Sequence, residues 1–147
     1  MSNLQAFLKM ITISELTQPV IDGSDSGYNV LVGSTQFNIL VFSSYNDHPR
    51  VYNKELNSTA AGAYQIMAHI YDSYKVSLNL PDFSPVCQDA IAVQLIKECH
   101  ALDDINNGAI ESAIMKCGSR WASLPNNNYG QHENKIATLV GWYNQSL

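Results

Sequence analysis

Glu15 is the residue most suited to chemistry by type and position. Leu4, Phe7, Leu8 and Ile11 repeat at helical spacing, and Glu15 continues that apolar stripe, four residues after Ile11 and seven after Leu8. A carboxyl group there is buried near the negative end of a helix dipole. Both conditions disfavour its ionised form and raise its pKa, as a general acid working near neutral pH requires. The competing reading is a frayed helix end that turns Glu15 out to solvent.

Glycosidic bonds are commonly cleaved by two carboxyl groups, about 5–5.5 Å apart for retention or about 6.5–9.5 Å for inversion. Asp22, Asp25 and Asp47 are the nearest candidates for a second one, but each lies in a turn-forming segment where Asp ordinarily shapes the backbone. His48, in NDHPR, has base or ligand chemistry. The other histidines, His69, His100 and His132, give no metal spacing such as H-E-x-x-H, and His69 and His100 read as surface positions. Cys87, Cys99 and Cys117 form no C-x-x-C pair and fall in apolar helical stretches, so buried, inert, free thiols are expected. Tyr64, Tyr129 and Trp121 are sugar-stacking types, but each type is more often found in the core.

The elements that hold these residues are mostly helical. Asn3 can cap the first helix and Pro19 should stop it. YNVLV (28–32) and FNILVF (37–42) read as a β-hairpin turning at 33–36, and residues 43–57 as a long functional loop. Ser58 or Thr59 should cap a helix running to Tyr74, with Ile66, Met67, Ile70 and Tyr74 inward. Ser84-Pro85 starts a helix apolar nearly all round, a sign of burial on most sides. Gly108 separates a short helix from one carrying Ile110, Ala113, Ile114 and Cys117. Ile136, Leu139, Val140 and Tyr143 mark the last helix.

The 147 residues are 46 % apolar and 14 % charged, with a formal charge of −5. Such a chain folds around a core as a single domain over 1–147 and is not disordered. Nucleic-acid binding is disfavoured by the lack of a basic cluster. The apolar runs are too short to span a membrane, which takes about 20 residues. MSNLQAFLKMITISEL lacks the features of a secretory signal, so a cytoplasmic start is expected.

Several motifs in order carry a family resemblance: AFLKMITISE (6–15), GYNVLVG (27–33), YNDHPR (45–50), STAAGAYQ (58–65), FSPVCQDAIA (83–92), IKE (96–98) and WASLPNNNYGQ (121–131). Over nearly its whole length the chain resembles the lambda-type phage endolysins, lytic transglycosylases of bacterial peptidoglycan. The resemblance implies an α+β, lysozyme-like fold, mainly helical, with a small hairpin lobe and a cleft between lobes. Glu15 matches the family's catalytic glutamate. Tyr64 and Gln65, in AGAYQ, and Tyr129, in NYGQ, match substrate-binding positions of the cleft. Tyr28 in the hairpin and His48 and Arg50 in the following loop would join them from the smaller lobe. Two departures stand out: Leu16 intervenes between Glu15 and Thr17, and the chain is acidic where familiar relatives are basic.

The resemblance also explains how one carboxyl group can suffice. In a lytic transglycosylase the same glutamate acts first as acid and then as base, and neither metal nor organic cofactor is needed. It further implies peptidoglycan glycan strands as substrate, a monomer without membrane insertion, and residence in the host cytoplasm until a holin-type pore gives access to the periplasm. A hydrolytic muramidase using Asp22, Asp25 or Asp47, and a non-catalytic lysozyme-like glycan binder, are the alternatives.

Overall fold

A computed structural model describes residues 1–125 and 133–147. Among these residues the helices are α1 (Asn3–Leu16), α2 (Gln18–Asp22), α3 (Ala68–Ser77), α4 (Pro85–Glu98), α5 (Leu102–Asn106), α6 (Ile110–Cys117) and α7 (Ile136–Ser146). The chain organises into two compact units, one of residues 1–15 with 92–147 and the other of residues 16–91. None of these helices is long and apolar enough to cross a membrane.

The first unit is helical. α1 buries Phe7 and Ile11 completely, as its stripe predicts, and Met10 as well. α5 and α6 follow on either side of Gly108, and α6 buries Ile110, Ala113, Ile114 and Cys117. α7 contributes Leu139 and Tyr143 to the core. α4 passes from the second unit into the first after Ile91. Ile91 is buried on the second-unit side and Ala92, Leu95 and Ile96 on the first-unit side, whereas Val86 near its start is 78 % exposed. Pro85 opens α4 as expected, since the fixed φ of proline suits the first helical turn.

In the second unit, Pro19 ends nothing. α1 stops at Leu16 because Thr17 takes a left-handed conformation (φ 72°), and Pro19 sits in the first turn of the short α2.

The expected hairpin pairs residues 29–31 with 40–42, but not as continuous strands. Leu31 N–H donates to Leu40 O (2.8 Å) and Phe42 N–H to Asn29 O (2.9 Å), while Thr35 and Asn38 close the turn two residues later than predicted. The ladder is interrupted by Ser34, whose hydroxyl oxygen accepts the Leu40 N–H at 2.9 Å in place of a backbone carbonyl. A third segment lies along residues 30–32: Val32 N–H donates to Ala60 O (3.1 Å) and Gly62 N–H to Val30 O (2.8 Å).

That third segment replaces the helix predicted from Ser58. Residues 58–67 form turns and bridges, and α3 begins only at Ala68. Gly62 (φ 85°) and Gln65 (φ 50°) are both left-handed, which no helix accommodates. Thr59 does act as a cap, from nine residues upstream: its Oγ1 accepts the Ala68 N–H at 2.9 Å. Ile66 is buried as expected, whereas Met67 is exposed.

Candidate active site

Glu15 occupies the last turn of α1 in the first unit and is partly accessible to solvent. Removal of water from around the carboxyl group raises its pKa from 4.5 to about 7, against the opposing effect of hydrogen bonds from the Ser123 hydroxyl and backbone N–H. Burial outweighs hydrogen bonding, so Glu15 can hold a proton at neutral pH and release it without a large energetic penalty.

The Ser123 hydroxyl donates to Oε2 of Glu15. Ser123 Oγ lies 2.7 Å from the hydroxyl of Ser14, and Asn134 Nδ2 donates to Ser14 Oγ at 2.9 Å. The Asn134 N–H donates to Ser123 O at 2.8 Å, tying the segments before and after residues 126–132 together. Ser123, Ser14 and Asn134 were not singled out from the sequence. Ser123 lies in the WASLPNNNYGQ motif and Ser14 directly precedes Glu15, but serine and asparagine are too common for type alone to mark them.

The remaining described candidates belong to the second unit. Tyr28 and Tyr64 meet at one carboxylate: both phenols donate to Asp89 Oδ1, at 2.9 and 2.6 Å, and their rings pack edge to face at 6.4 Å. Burial, reinforced by the Asp89 charge, raises both phenol pKa values, Tyr28 to about 12. Tyr64 is only 3 % exposed, so it offers little surface to a sugar ring and instead anchors the AGAYQ segment. Gln65 is half-buried beside it and donates through Nε2 to Gly62 O at 2.9 Å, leaving its other amide hydrogen and carbonyl oxygen available.

His48 is likewise a support rather than a contact residue. It is 2 % exposed, and both ring nitrogens are engaged: Nε2 with Ile66 O at 2.8 Å and Nδ1 as acceptor of the Arg50 N–H at 2.9 Å. This pattern makes Nε2 the protonated nitrogen of a neutral ring, and burial lowers the His48 pKa accordingly. Arg50 is exposed, but Asp47 (3.0 Å) and Asp72 (2.5 Å) hold its guanidinium. The other aspartates also have local work. Asp22 accepts from Gln18 Nε2 (2.8 Å) and Asp25 from the Tyr45 hydroxyl (2.6 Å). Tyr129 lies outside the described residues.

The cysteine expectation holds for Cys87 and Cys117, which are buried, but not for Cys99, which is partly exposed just beyond α4. Its thiol pKa is lowered, chiefly by a hydrogen bond with Cys117.

Comparison with known proteins places this geometry in a family. The endolysin of Escherichia phage P2 is 42 % identical, across 94 % of this chain and 88 % of the relative. The endolysin of Escherichia phage lambda is also 42 % identical, across 97 % and 89 %. Among solved structures, bacteriophage lambda lysozyme in complex with a chitohexasaccharide superposes with a TM-score of 0.88 at 40 % identity, covering 99 % of this chain and 95 % of that one. A second structure of the lambda lysozyme gives 0.82 over the same shares. The fold is therefore lysozyme-like. The Endolysin family model matches residues 5–147, and the chain belongs to the endolysin family.

Proposed function

We propose that the chain cleaves the bond between N-acetylmuramic acid and N-acetylglucosamine by lytic transglycosylation, with Glu15 as its acid and base. Degradation of bacterial peptidoglycan in phage-driven lysis accords with membership of the endolysin family. The observation that carries the finer reading is the state of Glu15: a carboxyl group with a pKa near 7 on which, among the described residues, no charged side chain acts. A hydrolytic pair would place a second carboxylate in its field, and Asp22, Asp25 and Asp47 are committed to Gln18, Tyr45 and Arg50.

The step balances with one residue. Protonated Glu15 gives its proton to the bridging oxygen, the bond from that oxygen to muramic C1 breaks, and N-acetylglucosamine leaves with a free hydroxyl. Positive charge develops at C1 and the ring oxygen. The new carboxylate takes the proton of the muramic C6 hydroxyl as O6 bonds to C1, which closes a 1,6-anhydro ring and restores the acid. A pKa near the working pH serves both halves, since neither donation nor recovery is strongly uphill.

The lambda lysozyme was solved with a chitohexasaccharide, an oligomer of N-acetylglucosamine. By analogy, Gln65, Arg50, Tyr28 and, on its motif alone, Tyr129 contact the glycan strand here, while Tyr64 and His48 hold the backbone that presents them. We further propose that residues 1–147 act as one monomeric catalytic domain, made in the host cytoplasm and admitted to the wall by a holin-type pore. The test is Glu15→Gln, which keeps shape but can neither donate nor recover the proton. Removing general acid–base catalysis costs about 10²–10⁴-fold. A folded variant that clears wall suspensions at more than about a tenth of the wild-type rate would refute the assignment.

A further inference from the structure

Hydrogen counting gives the bonds behind Glu15 a direction. A serine hydroxyl has one hydrogen, and that of Ser123 is spent on Glu15 Oε2. The 2.7 Å contact between Ser123 and Ser14 must then be donated by Ser14. Ser14 Oγ in turn accepts from Asn134 Nδ2 at 2.9 Å, and Asn134 is fixed by its N–H bond to Ser123 O at 2.8 Å. Donation thus runs from Asn134 to Ser14 to Ser123 to Glu15. Ser14 is buried, so water does not readily substitute for its partners.

We propose that Asn134, Ser14 and Ser123 are positioning residues that keep Glu15 Oε2 an acceptor and so hold the acid proton on the other carboxyl oxygen, Oε1. This inference rests on Glu15 being the acid. Without the relay the carboxyl group can rotate and carry its proton on either oxygen, and the productive arrangement is only one of several. The relay also favours the ionised form, because a hydrogen bond to a carboxylate stabilises its charge. Among the described residues the groups acting on the carboxyl are the Ser123 hydroxyl and N–H, with no charged side chain contributing.

The two effects make a paired signature that a merely structural serine would not produce. Activity needs protonated Glu15 and falls along an alkaline limb as the carboxyl ionises. Ser123→Ala is expected to lower the rate at the pH optimum about tenfold and to move that limb upward by about half a pH unit or more. Ser123→Thr keeps the hydroxyl and should return the limb to its wild-type position. Ser14→Ala, a change an α-helix tolerates, should move it in the same direction but less far.

The measurement is the pH profile of initial rates on sub-saturating purified sacculi for wild type, Glu15→Gln and the three serine variants, each checked for folding by circular dichroism. A Ser123→Ala limb coincident with wild type, or a Ser123→Thr limb displaced as far as that of Ser123→Ala, overturns the relay. If Ser123→Ala does not fold, Ser14→Ala decides, and an unmoved limb there is fatal. An active Glu15→Gln would instead remove the acid assignment itself, whatever the limbs do.

Discussion

The Gln88 side chain fills the space that any side chain at residue 62 would need. A Cβ placed on Gly62 would lie 2.8 Å from Gln88 Cδ, and closer still to its Oε1, and the backbone there has φ 85°. Gln88 is fully buried and serves three backbone groups: it accepts the Ala63 N–H at 3.0 Å and donates to Tyr28 O at 3.0 Å and Phe83 O at 2.9 Å. One amide thereby fastens α4 to the two segments that carry Tyr28 and Tyr64. Gln88→Ala strands those three groups and should cost about 3 kcal/mol or more, since each buried unpaired group costs about 1–3 kcal/mol. Gly62→Ala should be comparably damaging through strain and displacement of the amide. Urea unfolding of both variants measures this, and a loss under about 1 kcal/mol for Gln88→Ala would show that water replaces the amide.

Glu15 should cost the protein stability in return for its chemistry. Its pKa is raised on folding, so the folded state holds a proton that the unfolded state releases between pH 4.5 and about 7. Stability therefore falls as pH rises through that window, and the full penalty is present above it. Glu15→Gln should match wild type near pH 4 and exceed it by roughly 3–3.5 kcal/mol at pH 8, at about 1.4 kcal/mol per pKa unit. Thermal unfolding of the pair at the two pH values decides it, and equal stability at pH 8 would mean that Glu15 is not desolvated.

Single Asn substitutions at Asp22, Asp25 and Asp47 should leave substantial lytic activity, because these carboxylates serve Gln18, Tyr45 and Arg50. Rates on sacculi are the check. A loss of about a thousandfold at any one of them in a folded protein would favour a water-activating base over transglycosylation.

Cys99 should be the first of the three thiols to alkylate. The hydrogen bond with Cys117, then Ser119 and the Arg120 guanidinium, lower its pKa against the effect of burial, while the Cys117 thiol is pushed up. A thiolate and not a thiol is the nucleophile. Brief treatment with iodoacetamide at neutral pH followed by peptide mapping should find the label on Cys99 before Cys87 or Cys117. Preferential labelling of Cys87 would contradict this.

How much was legible in the sequence follows from the range of the interactions. α1, α4, α6 and α7 declare themselves through apolar periodicity, and α4 also through Ser84-Pro85 at its start, while Glu15 stands out because a carboxyl group interrupts such a stripe. Residues 58–67 mislead because Thr59 and the apolar residues after it imitate a capped helix, while the left-handed Gln65 carries no sequence mark. His48 and Tyr64 have the types of ligand-contacting residues, but burial turns them into supports for Ile66 O and Asp89. Ser123 could not be recognised beforehand, because its role depends on a bond to a residue 108 positions away.

The central claim concerns the fate of muramic C1, so the most direct measurement is the chemistry of the product ends. Purified sacculi are digested with the enzyme, and the released muropeptides are separated and weighed by mass spectrometry before and after borohydride treatment. Transglycosylation through Glu15 predicts 1,6-anhydro-muramic ends that borohydride leaves unchanged, and none above background with Glu15→Gln. Muramic ends that borohydride reduces, heavier than the anhydro form by one water, would contradict the account and establish hydrolysis.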